Sequence, residues 1–359
     1  MKVFQILPTL AYGDAVSNDA LAINKVFHEN HYKTSIYAEN IDSRLPKGLV
    51  SAYKNIPFDI EENDVIIYHL STGSKMVHDI PKFKCKKIVI YHNITPPEFF
   101  RGYSRGGQQL CQEGLKDAIY LSDKVDYCIA DSDFNKQDLI NMNYSCPIDV
   151  LPILIPLNDY STTANKDILR RFNTNGTVNI IFTGRIAPNK KQEDIIRAFY
   201  YYKNYINSNS RLIFIGSYTG MENYYEQLTQ YVSSLNLQDV IFTGHIKFDE
   251  IIAYYKVADI FLCMSEHEGF CVPLVEAMYF NIPIIAYDSS AIGFTLGGSG
   301  LLIKEKNPIV VAELIHTLMT DKELRNNVIQ NQKIRLKDFE YDTIKTKLLQ
   351  YFQNLVKEK

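Results

Sequence analysis

Two glutamates, Glu268 and Glu276, flank a short turn in the second half of the chain. The turn, Gly-Phe-Cys-Val-Pro, follows the apolar run DIFLCM. Pro273 suits the first turn of a helix, whose positive end would then present three backbone amides, those of Phe270, Cys271 and Val272. Amides at a helix N-terminus bind phosphate, and carboxylates accept hydrogen bonds from sugar hydroxyls. The spacing therefore predicts a nucleotide site, with Glu276 on the ribose and Glu268 reaching the group beyond the phosphates.

Two cations stand earlier, in the stretch FTGRIAPNKKQEDII. Arg185 and Lys190 follow an apolar run that is typical of a strand, and both fall in the loop that leads to the next helix. Arginine offers a planar fork of donors and lysine a movable point charge, so the pair can neutralise a diphosphate. Lys191 is an alternative to Lys190 for this role.

The first half of the chain contributes a glycine and a histidine. Gly13, in PTLAYGDAVSND, permits a tight turn and close backbone approach before a helix. His92, in YHNITPPEFF, ends a strand and precedes a loop stiffened by Pro96 and Pro97. We expect His92 to contact a ligand, and His69 occupies a similar edge position. The chain lacks a GxGxxG motif, which argues against a dinucleotide oxidoreductase.

The elements that must position these residues are short apolar runs that alternate with helical stretches. Near-continuous apolar runs are typical of strands buried on both faces, and their alternation with helices predicts parallel, doubly wound sheets. A chain of 359 residues can form two such cores. We predict a domain over 1–160, a second over 161–340, with a partly helical linker at 158–177, and a terminal helix over 341–359. Its apolar stripe, on Ile344, Leu348, Phe352 and Leu355, would pack back on the first domain.

Composition excludes several classes of function. The net charge of −3 gives no general attraction to nucleic acid, and no apolar run is long enough to span a membrane, so we expect a cytoplasmic protein. Lys82, Lys84, Lys86 and Lys87 lead into a strand, as its solvated entrance or as a contact for anionic lipid headgroups. The six cysteines include no CxxC pair, which favours buried free thiols over disulfides or a zinc site.

Together, these motifs resemble the retaining glycosyltransferases of family 4, which have the GT-B fold. The resemblance rests on GRIAPNKK, on EGFCVPLVEAM with its E-x7-E spacing, and on YHNITPPEFF and IADSDFNKQDL. It covers most of the chain and is strongest in the second half. It departs from the family at Gly13-Asp14, where a glycine pair is frequent, and at Cys271, where glycine is common. The implied fold is two Rossmann-like, doubly wound parallel-sheet domains facing across a cleft.

The resemblance also implies roles for individual residues. Arg185 and Lys190 would bind the diphosphate of a nucleotide sugar and stabilise the leaving group, and Glu276 would hold the ribose. Glu268 and His92 would face the transferred sugar, and Gly13 would lie in the first ligand-binding loop. Asp131 and Asp133 form a DxD pattern that could instead bind Mn²⁺, although Ser132 or Asp133 would also make an ordinary cap for the following helix. We expect neither a metal nor another cofactor.

The expected activity is retaining transfer of a hexose to a glycan or lipid-linked glycan, in bacterial surface polysaccharide (O-antigen or capsule) synthesis. The loop YHNITPPEFF resembles that of surface-polysaccharide mannosyl- and rhamnosyltransferases and favours GDP-mannose as donor, with UDP-hexoses as the alternative. Two further interpretations are a sugar-nucleotide epimerase with the same fold and a non-catalytic nucleotide-sugar-binding subunit. The enzyme would be cytoplasmic or bound peripherally to the inner face of the membrane.

Overall fold

The computed structural model describes residues 1–57, 59–173 and 176–357. The chain divides into two compact units. The first comprises Met1–Pro97, Gly106–Pro156 and Phe339–Lys359, and the second comprises Glu98–Arg105 and Leu157–Asp338. Of the predicted linker and terminal helix, residues 174–175 and 358–359 lie outside the described residues.

The first unit is built on a parallel sheet of seven strands in the order β3-β2-β1-β4-β5-β6-β7. Its elements are, in chain order, β1 (Lys2–Leu10), α1 (Ala15–Glu29), β2 (Lys33–Ile41), β3 (Ser51–Ala52), β4 (Val65–Leu70), β5 (Lys86–Tyr91), α2 (Arg105–Leu121), β6 (Tyr127–Ala130), α3 (Asp133–Asn141) and β7 (Ile148–Val150). The carboxyl ends of parallel strands share one edge of the sheet, so His69, His92 and Asp131 are brought to that edge.

The second unit is built on a parallel sheet of six strands in the order β10-β9-β8-β11-β12-β13, the order of a Rossmann fold. Its elements are α4 (Lys166–Phe172), β8 (Val178–Thr183), α5 (Gln192–Tyr201), β9 (Ser210–Ile215), α6 (Glu222–Ser234), β10 (Val240–Phe242), α7 (Phe248–Val257), β11 (Ile260–Cys263), α8 (Val272–Tyr279), β12 (Ile284–Tyr287), α9 (Ile292–Leu296), β13 (Leu301–Ile303), α10 (Pro308–Thr320) and α11 (Lys322–Leu336). α12 (Tyr341–Lys357) then belongs to the first unit.

Side chains that alternate along the strands of the first unit enter two separate apolar clusters. In β4, Ile66 and Tyr68 pack in one cluster, whereas Val65 and Ile67 pack in the other. Successive side chains of a strand point to opposite faces, so this sheet is covered on both sides. That double burial explains why its strands read as continuous apolar runs.

Helix α12 closes one face of the first sheet. Ile344, Leu348, Phe352 and Leu355 are 0–3% exposed and join the cluster that contains Val3. The rings of Phe352 and Phe27 lie 4.7 Å apart between centroids. The stripe recurs every third or fourth residue, so one face of the helix is buried.

Several local predictions are confirmed. Ser132 caps α3 by accepting a hydrogen bond from the Asn135 amide at 3.2 Å. All six cysteines are free; Cys111 and Cys146 are partly buried and the others are buried. A short helix, α4, lies in the predicted linker. Within the described residues, no helix is both long and apolar enough to cross a membrane.

Segment Glu98–Arg105 joins the second unit, although the sequence predicts one domain over 1–160. The ring of Tyr103 packs edge-on against that of Tyr224, at 5.2 Å between centroids. The Asn223 side chain donates a hydrogen bond to the Tyr103 carbonyl at 3.5 Å. These contacts assign this short segment to the second unit. No pattern in the sequence of the segment predicts that assignment.

Candidate active site

The turn before α8 places a helix N-terminus beside β11. Helix α8 begins at Val272, has proline in its first turn and is capped by Cys271, whose φ of 72° is left-handed. The Thr295 hydroxyl donates a hydrogen bond to the Phe270 carbonyl, which holds the turn in place. Within the described part of the chain, the amides of Cys271 and Val272 have no hydrogen-bond acceptor. Together with the helix dipole, these amides can bind an anion.

Glu268 and Lys190 form an ion pair beside this turn. Lys190 ends a short 3-10 helix, Pro188–Lys190, that follows β8, and its Nζ lies 2.5 Å from Oε2 of Glu268. Burial lowers the pKa of Lys190, but the Glu268 carboxylate raises it above its ordinary value. The lysine therefore remains cationic in a half-buried position, which suits a ligand with negative charge.

The loops that carry this pair are tied to each other by hydrogen bonds. The Asn189 side chain donates to the His267 carbonyl at 3.0 Å, and the Glu266 amide donates to the Asn189 carbonyl at 2.8 Å. The Glu268 amide donates to the Ser290 hydroxyl at 2.8 Å. The backbone on both sides of the Lys190–Glu268 pair is thus fixed before any ligand binds.

Arg185 and Lys191, from the same loop, differ in what they contact. Arg185 is exposed, and its guanidinium makes one hydrogen bond in the described structure, at 3.5 Å to the Thr219 carbonyl. Lys191 lies 3.4 Å from Glu266 and 3.6 Å from Glu193. Arg185 is therefore the cation whose donors remain available to a ligand, whereas Lys191 is held between two carboxylates.

Glu276 is buried and holds two tyrosine hydroxyls. Tyr160 donates to Oε1, and Tyr255 donates to Oε2 at 2.5 Å. Burial raises the pKa of Glu276, and the two hydrogen bonds oppose that rise. Each carboxylate oxygen keeps a second lone pair, so a ribose hydroxyl can still be bound. Neither tyrosine is indicated by the sequence, because they come from α7 and from the segment before α4.

In the first unit, His92 is held in a chain of buried side chains. The Gln5 amide group donates to the Ala20 carbonyl at 3.1 Å, so its oxygen accepts from Nε2 of His69 at 2.9 Å. Nδ1 of His69 then accepts from Nε2 of His92 at 2.8 Å. Nδ1 of His92 lies 2.9 Å from Asp131 Oδ2. The orientation of Gln5 thereby fixes the tautomer of His69 and requires a proton on Nε2 of His92.

Among these hydrogen-bonded side chains, His92 and Asp131 carry the charge. Burial and the proximity of His92 lower the pKa of His69 well below its ordinary value, so His69 is neutral. Burial also lowers the pKa of His92, but Asp131 and then Asp19 raise it above its ordinary value. The His92 side chain is 0% exposed. Both its ring nitrogens have internal partners, so contact with a sugar would require one of these bonds to break.

Gly13 lies in the turn that precedes α1. Its φ is 76°, and a Cβ at this position would meet no atom within 4 Å. The backbone conformation, rather than crowding, therefore requires glycine. Asp14 caps α1 by accepting from the Ser17 amide at 3.0 Å.

Most of the second unit matches the sequence model of a protein family. Residues 165–335 match the family model of glycosyl transferases group 1. The matched range is less than half of the chain and lies within the second unit. The matched range contains Arg185, Lys190, Glu268 and Glu276, whereas Gly13 and His92 lie outside it.

The curated proteins that the chain resembles include transferases with several different names. The alpha-monoglucosyldiacylglycerol synthase of Acholeplasma laidlawii is 33% identical over 162 residues, which are 44% of this chain and 39% of that protein. The O-antigen chain mannosyltransferase B of Escherichia coli is 20% identical over 278 residues, 75% of this chain and 71% of that protein. The first three curated relatives are matched over 48%, 39% and 46% of their own length, so the chain spans less than half of each.

The solved structures extend the likeness to the whole fold. The crystal structure of Anabaena Alr3699/HepE in complex with UDP and glucose has a TM-score of 0.78 at 17% identity, covering 99% of this chain and 100% of that one. The predicted fold class, two Rossmann-like parallel-sheet domains of the GT-B type, is confirmed.

Proposed function

We propose that this chain is a retaining glycosyltransferase that moves a hexose from a nucleotide sugar to a glycan or lipid-linked glycan. The observation that carries the proposal is the Lys190–Glu268 ion pair beside the N-terminus of α8. It joins a half-buried cation, a carboxylate and unpaired amides in one place, in the region that matches the glycosyl transferases. A glycosyl donor offers the matching chemistry, a diphosphate bonded to a sugar.

The residues would act by stabilising charge on the departing diphosphate. Arg185 and Lys190 would neutralise it, and the amides of Cys271 and Val272 would donate hydrogen bonds to it. Groups oriented in advance lower the barrier most, because they do not reorganise during the reaction. Transfer by this route would need neither a metal ion nor another cofactor.

Glu268 would position Lys190 and the donor sugar. Its carboxylate is already paired with the lysine ammonium at 2.5 Å, which disfavours a role as covalent nucleophile. Retention would then follow from attack on the face that the diphosphate leaves, with a donor phosphate oxygen accepting the proton of the acceptor hydroxyl. His92 would contact the sugar once released from His69 or Asp131, and Gly13 would allow the ligand to approach the backbone.

GDP-mannose is the proposed donor, with a UDP-hexose as the second candidate. The similarity to the Escherichia coli O-antigen mannosyltransferase supports mannose. The similarity to HepE, solved with UDP and glucose, favours the UDP-hexose. The similarity to the Escherichia coli enzyme also supports synthesis of a bacterial surface polysaccharide, such as O-antigen or capsule, as the pathway.

A thermal-shift panel with GDP, UDP and ADP, followed by nucleoside diphosphate release from matching sugar donors, tests the donor. We expect GDP to raise the melting temperature most and GDP-mannose to be consumed. Stabilisation by UDP alone would contradict the GDP-mannose assignment. Sugar transfer in excess EDTA tests the metal-free mechanism, and a complete loss that Mn²⁺ restores would overturn it.

The reaction product distinguishes sugar transfer from the two alternatives, an epimerase and a non-catalytic binding subunit. We expect a new glycosidic bond, with the anomeric configuration of the donor retained in the product by NMR. Release of an epimerised sugar without an acceptor would indicate an epimerase, and binding without turnover would indicate a non-catalytic subunit.

Peripheral contact with the inner face of the membrane is proposed for the lysine group 82–87. Lys82 pairs with Asp79 at 2.6 Å, and Lys87 lies 3.4 Å from Asp126, whereas Lys84 is exposed. We expect co-sedimentation with anionic vesicles that falls in Lys84→Glu. Equal sedimentation with neutral vesicles would contradict an electrostatic contact.

A further inference from the structure

Three ligand-bearing side chains converge under the N-terminus of α8. One sulfur each from Cys263 and Cys271 and one carboxylate oxygen from Glu268 all lie within 4.8 Å of one another. The three residues are 0%, 8% and 8% exposed, and both thiols are free. The two thiols have no role in the function proposed above, which uses only the Glu268 carboxylate and the Cys271 backbone amide of this cluster.

The local fold explains the convergence. Cys263 is the last residue of β11, and Cys271 caps α8 at the other end of the loop 264–270. The left-handed backbone of Cys271 turns its side chain away from the course of the helix, in a conformation that usually selects glycine. A glycine there would leave one thiol, so the pair exists because this chain has cysteine at position 271.

Two thiolates and a carboxylate are ligands that thiophilic divalent cations accept. Zinc binds cysteine sulfur at about 2.3 Å and carboxylate oxygen at about 2.0–2.2 Å in a tetrahedron, which places ligand atoms about 3.3–3.8 Å apart. The upper limit of 4.8 Å in this cluster is therefore within about 1.5 Å of a bound arrangement. Side-chain rotation alone can supply such a movement.

Charge balance also favours such a cation, even with Lys190 nearby. With both thiols protonated and no metal bound, the thiols and the Lys190–Glu268 pair carry no net charge. A divalent cation that displaces one proton from each thiol leaves two thiolates, one carboxylate, one ammonium and two positive charges of the ion. The sum is again zero, so the buried cluster stays neutral, and two protons are released per ion bound.

We propose that Cys263, Glu268 and Cys271 form a site for a thiophilic divalent cation, represented by Zn²⁺ or Cd²⁺. The ion would take the three side chains as ligands and leave a fourth position open. An ion on Glu268 would withdraw this carboxylate from Lys190 and alter the α8 turn. Occupancy would then inhibit binding of the nucleotide diphosphate, an effect that rests on the function proposed above, whereas ion binding itself does not.

The ion site is tested by titrating the reduced full-length protein with Cd²⁺ and following the ultraviolet charge-transfer band of Cd–thiolate bonds and the protons released. We expect one ion and two protons per chain. Cys271→Gly, which suits the left-handed backbone, should abolish the band, as should Cys263→Ser. Cys128→Ser/Cys146→Ser is the matched control, because that pair has its sulfurs 3.5 Å apart and no third ligand in the described structure. It should keep the band.

A band that survives in Cys271→Gly, or no band in the wild type, would overturn the site. The wild type has six cysteines and Cys128→Ser/Cys146→Ser has four. Before Cd²⁺ is added, a count of four free thiols in both proteins would assign a disulfide to the control pair. A disulfide that instead disappears in Cys271→Gly would mean that the two thiols bond to each other, and it would overturn the proposal.

The inhibitory effect is tested by measuring GDP and UDP binding with and without one equivalent of Zn²⁺. We expect the apparent Kd to rise about tenfold in the wild type, a coupling of ordinary size, and to change less in Cys271→Gly. Chelation of the nucleotide by Zn²⁺ would affect both proteins alike. If neither nucleotide binds, the proposed function fails while the Cd²⁺ result stands. An equal change in both proteins would overturn the inhibition.

Discussion

Arg185 is the residue whose contribution to donor binding can be isolated most cleanly, because it is exposed and makes a single long hydrogen bond to the described residues. Its removal should leave the fold unchanged. Arg185→Ala would lose charge-assisted hydrogen bonds to a diphosphate, each contributing about 1.5–3 kcal/mol. We expect a rise of about tenfold to a hundredfold in the Kd of the preferred nucleoside diphosphate, measured by calorimetry.

Arg170→Ala is the matched control, since Arg170 is an exposed arginine of the same unit that pairs with Asp167. The Kd of Arg170→Ala for the same nucleoside diphosphate should equal that of the wild type. Equal Kd values in Arg185→Ala and the wild type would contradict the proposed contact between Arg185 and the diphosphate.

Glu276 allows a second test at the same scale. Tyr255→Phe removes one of the two hydroxyls that hold this buried carboxylate, which leaves an oxygen without that partner. We expect the free energy of unfolding to fall by about 1–3 kcal/mol in urea. The Tyr279 ring lies 5.8 Å from that of Tyr160 without its hydroxyl contacting Glu276, so Tyr279→Phe should be near neutral. Equal losses in the two variants would contradict the assigned hydrogen bond.

Asp19 gives a pH-dependent test in the first unit. Burial raises its pKa to about 7, with His92 lowering it and Asp131 raising it further. Because the folded state holds this proton more tightly than the unfolded chain, the contribution of Asp19 is fully present below about pH 4 and is lost as the pH rises to about 7. The stability of the wild type relative to Asp19→Asn should therefore fall by on the order of 4 kcal/mol over that interval.

Urea unfolding at several pH values measures this difference. Asp133→Asn changes an exposed aspartate of the same unit and serves as the control. A pH-independent difference for Asp19→Asn would mean that Asp19 is ionised in the fold throughout.

Residue types and spacing in the second half of the chain predicted which side chains to consider, because Lys190 and Glu268 each follow a strand of one parallel sheet. Their mutual ion pair was not predicted, since it joins residues 78 positions apart. Tyr160 and Gln5 were missed for the same reason: their partners lie 116 and 64 positions away, and neither stands in a distinctive local pattern.

At the scale of elements, α12 is the clearest case of a helix stabilised by packing. Phe352 is 2% exposed and contacts Phe27 and Tyr32. Phe352→Ala should lower the free energy of unfolding by about 3–5 kcal/mol, because it removes buried area and leaves a cavity. Gln353→Ala, at an exposed neighbouring position, should change it by less than about 0.5 kcal/mol. Similar stabilities in urea for both variants would contradict the packing of this helix.

Most strands could be predicted from their apolar runs, and the exceptions have physical causes. Strands β3 and β13 contain two and three residues, too few to show a periodic pattern. The apolar run IDVLPILI has the composition of a strand, but only Ile148–Val150 pairs with β6. Pro152 lacks the amide proton that a ladder requires, and the strand ends before it.

At the scale of the whole molecule, the alternation of strands and helices was sufficient to predict two parallel sheets. It could not predict that Glu98–Arg105 would join the second unit, because that assignment depends on the contacts of Tyr103 with α6. The division into units matters for function, since the cations and glutamates of the proposed donor site all belong to the second.

The most direct test of the account is the rate at which nucleoside diphosphate is released from the preferred nucleotide sugar, compared between the wild type and Lys190→Ala. The account predicts a loss of at least about a hundredfold in kcat, because one charged donor is removed from the developing diphosphate. Unchanged melting and circular dichroism would show that the fold is intact. An unchanged rate in Lys190→Ala would contradict the proposal that this site performs glycosyl transfer.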